Sequence, residues 1–111
     1  MKIEKITEEL EKIKVQINYL QDECNWMKRE ISDYQDTLGK IEIELERKIK
    51  TEEEISKEIK LEITDLESKC IMEKKSINFF NHYLNETEKI IEKLKNKQKG
   101  LEEKLEKELS K

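Results

Sequence analysis

The sequence contains no proline and no alanine, and only two glycines, two cysteines and one histidine. Without proline, nothing in the chain forces a helix to kink or stop. Two glycines exclude a glycine-rich phosphate loop. Two cysteines, Cys24 and Cys70, are too few for a disulfide scaffold, which points to a reducing setting. No apolar run approaches the ~18 residues that a membrane span needs. Residues 1–20 mix charged with apolar side chains and so do not form a signal peptide. Apolar residues make up 34% of the chain, well under the ~45–50% of an ordinary globular domain, so a compact core of normal size is not expected. An intracellular location follows, in the cytoplasm, the cytoskeleton or the nucleus.

What is abundant is charge, 45% of 111 residues, with 23 Lys and Arg nearly balancing 27 Asp and Glu. The two signs are interspersed, as on a solvated helix surface. Glu, Lys, Leu, Gln and Met are good helix formers. Ile is the main apolar residue, and its lower helix propensity means that burial of an Ile seam must supply the stability. Glu-to-Lys or Asp-to-Lys pairs at i,i+4 (Glu8–Lys12, Glu44–Lys48, Glu46–Lys50, Glu53–Lys57, Asp65–Lys69, Glu103–Lys107) each add roughly 0.2–0.5 kcal/mol.

The apolar residues of the first half keep strict 3-4 spacing: Ile3, Ile6, Leu10, Ile13, Ile17, Leu20, Cys24, Met27, Ile31, Tyr34, Leu38, Ile41 and Leu45. In heptad letters these alternate a and d, beginning with Ile3 at a. A seven-residue repeat sustained this long specifies a left-handed coiled coil. The frame then slips: Lys48 occupies the next d position, whereas Ile49 lies four residues after Leu45. A reset seam runs through Ile59, Ile63, Leu66, Cys70, Ile77, Phe80, Leu84, Ile91, Leu94, Leu101 and Leu105. The chain is therefore expected to be one coiled-coil segment over 1–111, with heptads over 3–45, a stutter over 45–56 and weaker heptads over 59–105. The second seam is weaker because Glu73, Thr87 and Gln98 fall on it. Gly39 and Gly100 interrupt no spacing and are expected as helix-interior glycines.

The fold class is all-α, a long coiled-coil helix. A parallel dimer of straight helices is favoured, because residues 48–54 lack the Gly, Pro, Asn or Asp that turns need. The alternatives are an antiparallel pair of straight helices and a helical hairpin bending near residues 48–54. For the hairpin, Thr51 with Glu54 fits a capping box, and the aromatics lie mirror-wise about that point, Tyr19 and Trp26 on one side, Phe79, Phe80 and Tyr83 on the other.

Several large apolar residues fall off the seam. Val15, Ile43 and Leu61 take f positions; Tyr19, Trp26, Met72 and Phe79 take c positions. They are either scattered surface residues of ordinary kind or a second contact surface, with Tyr19, Trp26, Met72 and Phe79 as docking anchors for a partner. The cysteines, at a positions, are expected as small buried apolar residues. His82, with Glu86 one turn on, supplies two ligands where a metal site needs more. Lys93, Lys95, Lys97 and Lys99 form a short basic run, expected to be solvated, and the net charge of −4 argues against nucleic acid as the main ligand. Asn85-Glu86-Thr87 matches a glycosylation sequon, a pattern short enough to arise by chance.

No Ser/His/Asp set, paired acid and base, metal cluster or Gly-rich phosphate loop is present, so the expectation is a non-enzyme without cofactor, metal or small-molecule substrate, and with proteins rather than nucleic acid or membrane as partners. In periodicity and charge the chain resembles the long coiled-coil proteins of cytoskeletal, ciliary, centrosomal and chromosomal assemblies. The resemblance covers the whole chain through its heptads and implies an oligomerising spacer or scaffold in the cytoplasm or cytoskeleton. The alternative is an adaptor that docks a specific protein through the off-seam aromatics. A hetero-oligomer is a third arrangement, because Glu73 facing a copy of itself is unfavourable and a Lys or Arg opposite relieves it.

Overall fold

The computed structural model describes residues 2–51 and 56–111. Two long helices account for nearly all of them, α1 over Lys2–Thr51 and α2 over Lys57–Leu109, and no strand occurs among the described residues. Gly39 and Gly100 are both helical, and a Cβ at either would meet nothing within 4 Å. The helix-interior threonines satisfy themselves. Thr7, Thr37, Thr64 and Thr87 each donate their hydroxyl to the carbonyl four residues back, at 2.8 to 3.0 Å.

The described residues thus form two long helices. The bend itself, and Glu54 of the expected capping box, lie outside the described residues. The cap that is described belongs to Ser56. The Ile59 amide donates to Ser56 Oγ at 3.2 Å, and the Lys60 amide donates to the Ser56 carbonyl at 3.0 Å. Ser56 therefore takes one of the otherwise unsatisfied amides at the start of α2.

The residues group into two compact units: Met1–Trp26 with Tyr83–Lys111, and Met27–His82. Within the first unit, Lys2, Lys5 and Ile6 of α1 share a groove with Leu101 and Lys104 of α2, while Gln16 and Leu20 share one with Ile90 and Leu94. Rising numbers on α1 meet falling numbers on α2, so the pairing is antiparallel. Within the second unit the same order holds. The rings of Tyr34 and Phe80 stack with centroids 5.6 Å apart, and Lys48 Nζ lies 2.6 Å from Glu62 Oε2. In each unit the seam of α1 is covered by the chain's own α2. Pairing within a chain avoids the association entropy that a second copy would cost, because the partner helix is tethered at high effective concentration.

Burial follows the heptads closely. Leu10, Ile13, Ile17, Cys24, Met27 and Ile31 are buried on α1, and Leu66, Cys70, Ile91 and Leu101 on α2. Ile6, Leu20, Tyr34, Leu38, Ile41, Leu45, Ile59, Ile63, Ile77, Phe80, Leu84, Leu94 and Leu105 are partly buried, and Ile3, near the start, is exposed. At the expected slip the frame carries straight on: Lys48 is half-buried and Ile49 is exposed. The offset between the two seams is carried by two separate helices, which need not share a phase. Lys48 keeps its d position because its stem lies along the seam while its ammonium reaches Glu62.

Candidate functional site

Among the described residues no group of three or more His, Cys, Asp or Glu side chains is placed to hold a metal ion, and no helix is long and apolar enough to cross a membrane. His82 is exposed, and Glu86 pairs instead with Lys89 at 3.3 Å. Cys24 and Cys70 are buried, and neither is in a disulfide. The basic run disperses: the helix carries Lys93, Lys95, Lys97 and Lys99 to c, e, g and b positions, all exposed, rather than to one patch. Of the expected i,i+4 ion pairs, Glu46–Lys50 and Asp65–Lys69 form at 3.2 Å, while Lys48 turns to Glu62. Glu8–Lys12 and Glu103–Lys107 are not within ion-pair distance, and Glu53 lies outside the described residues.

The polar seam residues differ in how they are accommodated. Thr87 is buried, and its hydroxyl donates to the Tyr83 carbonyl at 2.8 Å, so it needs nothing from another chain. Gln98 shares an open groove with Lys14, Ile17 and Asn18. Glu73 is the exception. Its Oε2 is buried and meets no hydrogen-bond partner among the described residues.

The surface that remains is apolar and off the seam. Tyr19 is 62% exposed, Trp26 48%, Met72 68% and Phe79 65%. Around a helical wheel, c lies beside g, and in an antiparallel pair the g positions of the two helices share a flank. In the first unit this brings Tyr19 and Trp26, at c on α1, to the same flank as Tyr83 and Ile90, at g on α2. Tyr19 and Ile90 indeed line one groove of about 320 Å³ with Gln16, Leu20 and Leu94. The Tyr19 hydroxyl donates to Glu23 Oε1 at 2.9 Å, and this bond, with the nearby Glu23 charge and the phenol of Tyr83, holds its pKa above the ordinary tyrosine value. The same flank ends in a groove of about 490 Å³ where Lys2, Lys5, Lys104, Lys107 and Lys111 surround Leu101. Lys111 pairs with Glu108 at 3.2 Å.

In the second unit Met72 and Phe79 are both at c on α2, and Phe79 meets Phe80 edge-on with centroids 5.6 Å apart. Phe80 in turn stacks on the partly buried Tyr34, so Phe79 is anchored to the seam while remaining 65% exposed. Val15, Ile43 and Leu61 are exposed singly at f positions. Tyr83 and Ile90 belong to the exposed flank but escape a reading that considers c and f positions alone. Treating c and g together, as antiparallel pairing demands, finds them.

The fold and surface define an all-helical protein of two long helices. No protein-family model, no curated protein and no solved structure matches it.

Proposed function

We propose that the chain is a non-catalytic helix-assembly module. It folds as a helical hairpin whose seam is consumed within the chain, and its exposed aromatic flank docks other helices in a larger intracellular scaffold. The observation that carries this reading is the division of labour between positions. The a and d residues are covered by the chain's own helices, while Tyr19, Trp26, Met72 and Phe79, large side chains of the kind that anchor interfaces, remain exposed off the seam. A pure spacer has no use for such residues at c positions.

The second reading is a straight parallel dimer that acts as a spacer. The unbroken 3-4 spacing from Ile3 to Leu45 favours it. Small-angle scattering with mass determination on the reduced chain separates the two. The hairpin has a maximum dimension of about 80 Å, set by roughly 53 helical residues, while the straight pair reaches about 165 Å at dimer mass. A length near the larger value would sink the hairpin and restore the spacer.

A further inference from the structure

Charge in the first unit, Met1–Trp26 with Tyr83–Lys111, segregates by flank, although the whole chain carries −4. The flank made of c and g positions holds Lys2, Lys5 and Lys12 on α1, and Lys93, Lys97, Lys104, Lys107 and Lys111 on α2, all exposed. Its acids are Glu9, Glu23 and Glu86, and two of them are engaged: Glu23 accepts the Tyr19 hydroxyl at 2.9 Å, and Glu86 holds Lys89 at 3.3 Å. Tyr19, Trp26, Tyr83 and Ile90 supply its exposed apolar surface, and Gln16 and Gly100 fill the remaining c and g positions. The opposite flank, at b and e, reverses the balance, with Glu4, Glu11, Glu88, Glu92, Glu102 and Glu106 against Lys14, Lys95 and Lys99. Apart from Lys111, which holds Glu108 at 3.2 Å, no lysine of the c and g flank has an ion pair among the described residues.

Two grooves open along this flank. One lies at Ile6 and Leu101, among Lys2, Lys5, Lys104 and Lys107; the other lies at Leu20 and Leu94, beside Tyr19 and Ile90. Leu101 is buried, and Ile6, Leu20 and Leu94 are partly buried, so both floors are apolar. Ile6 and Leu20 are two heptads apart, about 21 Å along α1. We propose that this flank seats a third helix supplied by a partner protein, an acidic amphipathic helix that puts one apolar residue into each groove and sets Asp or Glu beside the lysines. The inference rests on the reading above, in which the flank docks other helices, and it fixes the chemistry of the partner. An amphipathic helix fills an apolar groove with anchors at helical spacing, and two anchors two heptads apart reach both floors. A lipid surface or a phosphate backbone would meet the lysine tips and leave the floor at Ile6 and Leu101 uncovered. A second copy of this chain fits less well. Its own c and g flank is basic, and its acidic flank is polar apart from Leu109, which leaves little to cover Tyr19, Trp26, Tyr83 and Ile90.

The probe is a synthetic peptide of roughly 24 residues, about 36 Å long as a helix, with Leu at its a and d positions and Glu at e and g. The glutamates keep it from pairing with itself. Fluorescence anisotropy of the labelled peptide, titrated with the full chain, reads the affinity, and a micromolar Kd is expected. Lys5→Glu combined with Lys104→Glu weakens binding about tenfold. Ile90→Asp, at the second groove, weakens it by a similar factor. Lys14→Glu combined with Lys99→Glu makes the same change of net charge on the opposite flank and leaves the affinity within about twofold of wild type. All the substituted positions are exposed, and the helical circular dichroism signal verifies folding. Should Ile90→Asp lose helix, the two charge pairs decide alone. A peptide that stays unbound overturns the proposal, as does an opposite-flank pair that weakens binding as much as Lys5→Glu with Lys104→Glu. Phosphatidylserine vesicles or a thymidine oligonucleotide that bind where the peptide does not also overturn it. A peptide with Lys in place of Glu that binds at least as tightly, and is lost in Ile90→Asp, overturns the acidic partner but retains helix docking. Scattering tells these failures from failure of the hairpin: monomer mass at about 80 Å retains the hairpin, and about 165 Å removes both.

Discussion

Met27 and Trp26 are neighbours in sequence, and their exposures are opposite: Met27 is 0% exposed and Trp26 48%. Met27 is at a d position, and replacing it with alanine removes three heavy atoms from a fully enclosed site. The lost transfer energy and the residual cavity together cost about 2–5 kcal/mol, depending on how far the surroundings collapse. A chain of this size loses roughly 4 °C of melting temperature per kcal/mol. Met27→Ala is therefore expected to lower the midpoint by about 8–20 °C. Trp26→Ala removes a far larger side chain from a half-open surface and is expected to cost no more than about 1 kcal/mol, a few degrees. Thermal unfolding followed by circular dichroism, at one fixed protein concentration, compares the two. If Met27→Ala melts with wild type, or if Trp26→Ala is the more damaging substitution, the assignment of seam and flank is wrong.

Four further outcomes follow from the same geometry. Gly39→Ala should raise stability by about 1 kcal/mol in chemical denaturation, because a Cβ there meets nothing and alanine is the better helix former; a loss would mean that the site is closely approached after all. Glu73→Leu should stabilise by about 1–3 kcal/mol by removing a buried carboxylate oxygen that lacks a partner, and a destabilised variant would mean that Glu73 has a counter-charge in the assembled protein. Ser56→Ala should cost about 1 kcal/mol through loss of the α2 cap, with Ser56→Asp close to neutral. Tyr19 should titrate above the ordinary tyrosine range, and Glu23→Gln should bring it down. Its raised folded pKa gives a stability contribution that is complete below the unfolded value, near 10, and is lost as pH rises through the folded one. Tyrosinate absorbance, compared between wild type and Tyr19→Phe, reads this shift; an unshifted Tyr19 would remove the Glu23 bond as its cause.

The helical character and the seam were legible in the sequence because a heptad repeat is a local signal, present in each helix whatever its partner. Partner choice was not legible. An a or d residue buries equally well against a copy of its own helix or against the next helix of the same chain, and the spacing of Ile3 through Leu45 is identical in both. A bend near residues 48–54 was readable only as an alternative, because that segment carries no turn former; the described cap comes from Ser56, with Ile59 three residues on rather than the acidic residue that completes a capping box. The frame slip at Lys48 illustrates the same limit. A lysine on a seam looks like an error until Glu62 is seen 2.6 Å away on the other helix, a contact that no local pattern encodes. The exposed flank was half legible: Tyr19, Trp26, Met72 and Phe79 stood out by type and position. Tyr83 and Ile90 joined them only when antiparallel pairing brought the g positions to the same side.

The central claim is that α1 and α2 of one chain lie against each other, and an intrachain distance tests it most directly. Spin labels at Asp36 and Asn78, both exposed and both within the second unit, can be introduced in a Cys24→Val, Cys70→Val background and measured by double electron–electron resonance. Dilution with excess unlabelled chain leaves only distances within one molecule. Antiparallel pairing places the two labels at nearly the same level, with a separation on the order of 20 Å, about two helix diameters. A continuous helix between them would hold the labels about 63 Å apart. A distribution centred near the short distance is the result expected; one centred near the long distance would contradict the hairpin and everything built on it.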